Sequence, residues 1–297
     1  MRRFRPLMTI ACLLAATFTI DVGATYALPL SLKEATRQIP PDILERGTLR
    51  VGTNLPFAPM EFLADDGTTF TGVDIDLITE AAKRLGLTTE FVNINWDGLI
   101  PAMNSGRFEV VAASVADFEE RRGQADFVDY LRVGVSAVVL KTDPDRYTVN
   151  SDLCGKRVGG AQGSATVTIA TALADRCEQE GKQRLTIDTF PGDNEGLLAL
   201  RSRRIDAHLV DAIVADYQAS TEEGKTTFRS VLPDLQPDKM LYGFALGKNS
   251  RSLTHALAAA LETMREDGTY KAILDKYGVG AAAIDQITIN AGGSQGE

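Results

Sequence analysis

Histidine and cysteine are scarce in this chain: His208 and His255 are the only histidines, and Cys12, Cys154 and Cys177 the only cysteines, in 297 residues. A His-rich zinc site or a four-cysteine cluster cannot be assembled from that inventory, so function without a transition metal or other cofactor is expected. Basic residues are also outnumbered, 31 Lys and Arg against 40 Asp and Glu, for a formal charge of -9. A nucleic-acid surface needs clustered cations to displace counterions, so no nucleic-acid partner is expected. The G-x-S-x-G elbow, H-E-x-x-H and the phosphate-cradling G-x-x-x-x-G-K-[ST] are all missing. What is present, 44% hydrophobic and 24% charged residues, is ordinary globular composition and excludes disorder, collagen and a disulfide-dense miniprotein.

The only long apolar run is N-terminal. Arg2, Arg3 and Arg5 precede an apolar stretch from Leu7 to Ile20, and small residues follow at Ala24 and Ala27. This is the pattern of a secretory signal over residues 1–24, cleaved after Ala24 or Ala27, with an extracytoplasmic or periplasmic destination. A membrane anchor is the alternative, but the run is broken by Thr9, Thr17 and Thr19 and is shorter than the ~20 residues that span a bilayer. Cleavage removes three arginines against one aspartate, leaving a still more acidic body. It also removes Cys12, so Cys154 and Cys177 remain as a pair in an oxidising compartment, where a disulfide is expected and two buried free thiols are the alternative.

Beyond Pro40 and Pro41, strand and helix signals alternate. Thr48 to Gly52, Glu90 to Val92 and Glu109 to Ala113 read as strands; Ile75, Ile78, Ala82 and Leu85 share one helical face, and a helix over Leu99 to Ser105 stops at Gly106. Alternation of this kind predicts an α/β fold with parallel sheets. Residues 102–109 (AMNSGRFE) are echoed at 199–206 (ALRSRRID), each a helix end followed by the opening of an apolar strand, which suggests two similar units. Residues 136–140 and 242–246 are short apolar strands with turn exits, suited to crossing between those units. Leu253, Leu257, Leu261 and Met264 mark a late helix and residues 270–277 another, both expected on the first unit.

Several features carry little chemistry by themselves. The carboxylate pairs Asp65 with Asp66, Asp74 with Asp76, and Glu119 with Glu120 are accounted for by turns, caps and solvated helix faces. Gly278 and Gly280 follow a helix instead of a strand, so they read as a helix stop. His208, in an apolar strand, and His255, on a helix, read as structural. The segment from Ala291 is small and polar, and a flexible tail is expected over 291–297.

Thr48-Leu-Arg-Val-Gly-Thr-Asn-Leu-Pro-Phe-Ala-Pro-Met-Glu-Phe62, Gly72-Val-Asp-Ile-Asp-Leu77, Trp96-Asp-Gly-Leu-Ile-Pro-Ala102, Ala113-Ser114 with Glu120-Arg121 and Asp126-Phe127, and Asp267-Gly-Thr-Tyr270 occur in that order. This series resembles the polar amino-acid periplasmic binding proteins, solute-binding family 3, of ATP-driven importers, over about residues 45–280. The resemblance implies a two-lobe periplasmic-binding-protein type II fold with two crossover hinge strands. Lobe 1 is expected at 45–140 plus 247–280 and lobe 2 at 141–246. A monomer is expected, capturing a small polar solute, an amino acid or a derivative, by hinge closure and delivering it to a membrane-embedded ABC permease.

The same resemblance implies a ligand shell. Arg121 matches the position that grips the ligand α-carboxylate, and its planar fork suits two charge-assisted hydrogen bonds. Ser114 matches a donor to that carboxylate through backbone and hydroxyl. Ala116 falls where a hydroxyl residue is usual and leaves only its N–H. Ser164, in the loop opening a helix, matches a further donor, with Ala165 lacking a hydroxyl beside it and Thr166 next. Asp211 matches the acid for the α-ammonium, and an N-cap role there is compatible. Phe57 and Trp96 match the aromatic walls. Asn54 stands where an Asp is frequent, which favours a neutral or acidic ligand. The alternative class is an enzyme on the same fold, such as a dehydratase of cyclic acids, with Asp97 and Asp211 as acid or base candidates; the expectation is that the chain is not an enzyme.

Overall fold

The computed structural model describes residues 31–293 apart from 145, 234 and 237. The signal expected at 1–24 and the last four tail residues lie outside the described residues. Short helices α1 (Leu32–Thr36) and α2 (Pro41–Arg46) lead to β1 (Thr48–Thr53). A small hairpin, β2 (Phe62–Leu63) and β3 (Phe70–Thr71), precedes α3 (Val73–Arg84) and β4 (Thr88–Asn93). Then come α4 (Leu99–Asn104), β5 (Val110–Ala116), β6 (Ala125–Val133) and β7 (Val135–Leu140). The second half runs β8 (Arg157–Ala161), α5 (Ala165–Gln179), β9 (Thr186–Phe190), α6 (Asp193–Arg201), β10 (Ala207–Asp211), α7 (Ala212–Ser220), α8 (Gly224–Thr227) and β11 (Phe228–Val231). It closes with β12 (Met240–Gly247), α9 (Arg251–Glu266), α10 (Thr269–Lys276) and β13 (Thr288–Ile289).

Two sheets organise these elements. The first has the order β13-β6-β12-β5-β1-β4 and the second β11-β7-β10-β8-β9. Each has a parallel part, β4-β1-β5 and β9-β8-β10, fed by helical crossovers. Each is then extended antiparallel by the strands through which the chain changes sheet, so the sheets are mixed where parallel ones were expected. The echoed segments 102–109 and 199–206 occupy equivalent places, leading into β5 and β10.

The crossings differ from the sequence expectation. β7 belongs wholly to the second sheet and β12 wholly to the first, so the chain passes between sheets at Gly134 and within 232–239. The expected limits at 140 and 246 assign both strands to the wrong lobe. The cause is that every residue of β7, and all of β12 but Gly247, is buried. A uniformly apolar strand carries no mark of which sheet it completes.

Helix α3 buries Val73, Ile75, Leu77, Ile78, Ala81 and Ala82, with acids in its first turn and Lys83 and Arg84 in its last, matching the helix dipole. Its start is fixed by Gly72, at φ 126°, where a Cβ would fall 2.2 Å from the Met60 carbonyl oxygen. Helix α9 presents Leu253, Leu257, Leu261 and Met264 to the first lobe, as expected. Tyr270 on α10 donates to the Tyr130 carbonyl at 2.7 Å. Residues 291–293 are held rather than loose: Gly292 N–H donates to Asp117 at 2.7 Å, and Glu119 N–H to the Gly293 carbonyl at 3.2 Å. In the second lobe Cys154 and Cys177 form a disulfide at a sequence separation of 23, tying the chain ahead of β8 to α5.

Candidate functional site

A cavity between the two sheets gathers all eight ligand residues expected from the sequence: Asn54, Phe57, Trp96, Ser114, Ala116, Arg121, Ser164 and Asp211. The centre of a water molecule has about 60 Å³ in which to move there. Since one water needs on the order of 10–15 Å³ by that measure, the space suits a small solute and not a peptide.

One end of the cavity is cationic. The Arg121 guanidinium, in the turn after β5, donates to the Ala116 carbonyl at 2.9 Å and across the cleft to the Gly163 carbonyl at 3.1 Å. It lies 5.1 Å from the Phe118 ring centroid and 5.9 Å from that of Trp96. Burial lowers its pKa, yet an arginine stays charged, and among the described residues it forms no ion pair. Beside it opens helix α5, with Ser164, Ala165 and Thr166 on the cavity. The first N–H groups of a helix have no partner within it and favour an anion. Ser164 Oγ itself donates to the Ala161 carbonyl at 2.6 Å and meets Thr166 Oγ1 at 2.7 Å.

The other end is acidic. Asp211, at the end of β10, is buried, and its carboxyl accepts the hydroxyl of Tyr242 from β12, a contact that joins the two sheets. Burial pushes its pKa up to about 7 against the opposing hydrogen bond from Tyr242, with Asp193 and Asp74 raising it further. It occupies the N-cap position of α7, but its side chain makes no cap hydrogen bond. Its carboxylate is thus not spent on the helix.

Asp74 is fully buried, correcting its expected place on a cap or solvated face. It accepts Ser114 N–H at 2.6 Å, Ser114 Oγ at 3.3 Å and the Tyr130 hydroxyl at 2.7 Å. Burial raises it to about 6 against those bonds. Glu61, 1% exposed, faces it, and burial together with Asp74 and Asp211 raises the Glu61 carboxyl well above its usual range. Asp74 has three donors while no described N–H or hydroxyl reaches Glu61 Oε2, so burial weighs more heavily on Glu61 than on Asp74.

This network also changes the reading of Ser114. Both its N–H and its hydroxyl serve Asp74, so neither is aimed at a ligand carboxylate as expected. The residue holds φ 51°, unusual for a side-chain-bearing residue inside a strand, and Asp74 fastens it there. Asn54 donates from Nδ2 to the Ile94 carbonyl at 2.8 Å. Asp97 is exposed in the turn at 96–98 and does not line the cavity, so the acid–base pair considered for an enzyme is not brought together.

Glu61, Asp193 and Tyr242 line the cavity and were missed in the sequence. Glu61 lies inside the first quoted motif and Asp193 opens α6, but an isolated acid carries no signal by itself. Tyr242 was read only as strand. His208, read as structural, is buried and bonded through Nε2 to Asp193 Oδ1 at 2.6 Å. Among the described residues no group of His, Cys, Asp and Glu is placed to hold a metal ion, and no helix is long and apolar enough to cross a membrane.

A cationic end carrying Arg121 and an acidic end carrying Asp211, contributed by two lobes, face one cavity of a size for a small solute. The chain belongs to the bacterial extracellular solute-binding proteins, family 3, whose model matches residues 49–280. It is 29% identical over 269 residues to the arginine-binding protein ArgT of Corynebacterium glutamicum, covering 90% of this chain and 86% of that one. A solved ancestral arginine-binding protein bound to arginine is similar at TM-score 0.69 and 34% identity, over 78% of this chain and 99% of the other. The ancestral amino acid-binding protein AncCDT-1, described as a precursor of cyclohexadienyl dehydratase, is similar at TM-score 0.68 and 30% identity, over 80% and 97%. The fold is the two-lobed type II binding-protein fold.

Proposed function

We propose that the cavity binds an amino acid, its α-carboxylate on Arg121 and the N–H groups opening α5, its α-ammonium on Asp211, and its side chain along Phe57 and Trp96. The observation that carries this is the placement, at each end of one cavity, of an ionisable group with no salt bridge among the described residues, Arg121 from the first lobe and Asp211 from the second. A ligand touching both bridges the lobes, so binding and closure about Gly134 and 232–239 reinforce each other. One bidentate carboxylate, one ammonium pair and aromatic contact supply the roughly -8 kcal/mol of a micromolar complex. The amino-acid-binding relatives support this reading, as does the family's extracellular placement.

The protein acts outside the cytoplasm as a monomeric receptor that passes its solute to a membrane-embedded ABC permease. Binding without turnover is favoured because the family and the similar amino-acid-binding proteins are binding proteins. The test is calorimetry of the mature chain against the standard amino acids, with Arg121→Ala alongside. Micromolar or tighter binding lost by at least 100-fold in Arg121→Ala is expected. Absence of binding by every amino acid, or turnover of a cyclic acid, refutes the reading.

A further inference from the structure

Asp193 is not explained by a ligand with one carboxylate and one ammonium. It opens helix α6 on the cavity wall, its side chain 18% exposed, with Oδ1 bonded to His208 and no described donor on Oδ2. The His208 ring is wholly buried and its Nδ1 has no partner among the described residues, so Nε2 is the ring nitrogen that donates to Asp193. The ring's slot is built by two glycines. A Cβ on Gly196 would fall 2.2 Å from His208 Cε1, and one on Gly159 would fall 2.6 Å from Ile205 Cδ1 and 3.1 Å from His208 Nδ1. The imidazole thus fixes a carboxylate whose second oxygen is left to the cavity.

Charge balance decides what that oxygen meets. Arg121 is the single basic residue among the described lining, against Asp193, Asp211 and Glu61 with Asp74 behind it. A zwitterion satisfies Arg121 and Asp211 and leaves Asp193 facing the cleft unneutralised, beside the Glu61 and Asp74 carboxyls. An uncompensated buried charge is expensive, and a second cation on the ligand removes that cost. Building on the amino-acid reading above, we propose that the ligand is a dibasic amino acid and that Asp193, positioned by His208, receives its side-chain cation. The acid lost at Asn54 in the first lobe is then replaced from the second lobe, reversing the preference for a neutral or acidic ligand expected from Asn54 alone.

The test is calorimetry with L-arginine, L-lysine, L-glutamine and L-citrulline, the last matching arginine in shape without its charge. Arginine or lysine is expected to bind at least 30-fold tighter than citrulline. Asp193→Asn narrows that ratio at least tenfold. His208→Leu narrows it as well, whereas His208→Gln, which keeps an N–H donor for Asp193, retains most of it; a merely structural histidine would not couple to the ratio. Citrulline or glutamine binding as tightly as arginine and lysine, or a ratio unchanged in Asp193→Asn, overturns the proposal. If that neutral binding is lost in Arg121→Ala, the amino-acid reading stands without this one. If no amino acid binds, both fall.

Discussion

Lowering the pH should weaken ligand binding through Asp211, by an amount the structure sets. Its carboxyl titrates at about 7 because burial disfavours the anion more than the Tyr242 hydroxyl favours it. An α-ammonium docked against it favours the anion strongly, so the bound state holds Asp211 ionised. At pH 8 the free protein is mostly ionised there and binding costs little. At pH 5.5, about 1.5 units below the midpoint, a proton must leave first, and affinity should fall roughly 30-fold, or about 2 kcal/mol. Near pH 7 about half a proton should be released per ligand, visible as a dependence of calorimetric enthalpy on the ionisation enthalpy of the buffer. Other groups on this end are Glu61, whose carboxyl burial holds well above its usual range, Asp193 on His208, and Asp74, which burial pushes up to about 6 and which steepens the loss below that pH. The Asp211→Asn variant separates them: it should bind weakly at pH 8 and lose most of the slope between pH 8 and 6. A flat wild-type affinity from pH 8 to 5.5, or a full slope in Asp211→Asn, refutes the argument.

The same residue should trade stability for binding. Its pKa is higher folded than the usual carboxylate value unfolded, so its contribution to stability is largest in acid, declines as pH rises from about 4 to about 7, and is flat above. Asp211→Asn should therefore raise the melting temperature of the ligand-free protein at pH 8, by up to about 4 kcal/mol of stability, and a lower one contradicts the burial argument. The disulfide is the other stability device: replacing Cys154 and Cys177 by Ser opens a cross-link of sequence separation 23, and the denaturant midpoint should report a loss of about 3 kcal/mol, with less than about 1 counting against it.

Much of the molecule was legible because its signals are local. The strand expected at Thr48 to Gly52 runs Thr48–Thr53, the helix marked by Ile75, Ile78 and Ala82 runs Val73–Arg84, and the one expected at Leu99 to Ser105 runs Leu99–Asn104. Periodicity within a dozen residues suffices for these. That Arg121 and Asp211 share one cavity was expected for a different reason, the resemblance to the family, and both line it. The errors share one cause. The sheet joined by β7, the fate of Ser114's donors and the burial of Asp74 all depend on partners tens of residues away.

Composition and order alone pointed to an α/β chain with an N-terminal export signal and to Cys154 and Cys177 as the pair available to each other, while the assignment of Arg121 and Asp211 to a zwitterion's two ends came from the family resemblance. Only the tertiary structure decided the charge of the space between them. Glu61, Asp193 and Asp211 come from three separate segments of the two lobes; the raised proton affinity of Glu61 and Asp211 arises from burial, and the place of Asp193 from the buried His208 imidazole bonded to it. A carboxylate's charge and ligand preference follow from the dielectric and donors around it, which exist only once the lobes enclose the cavity.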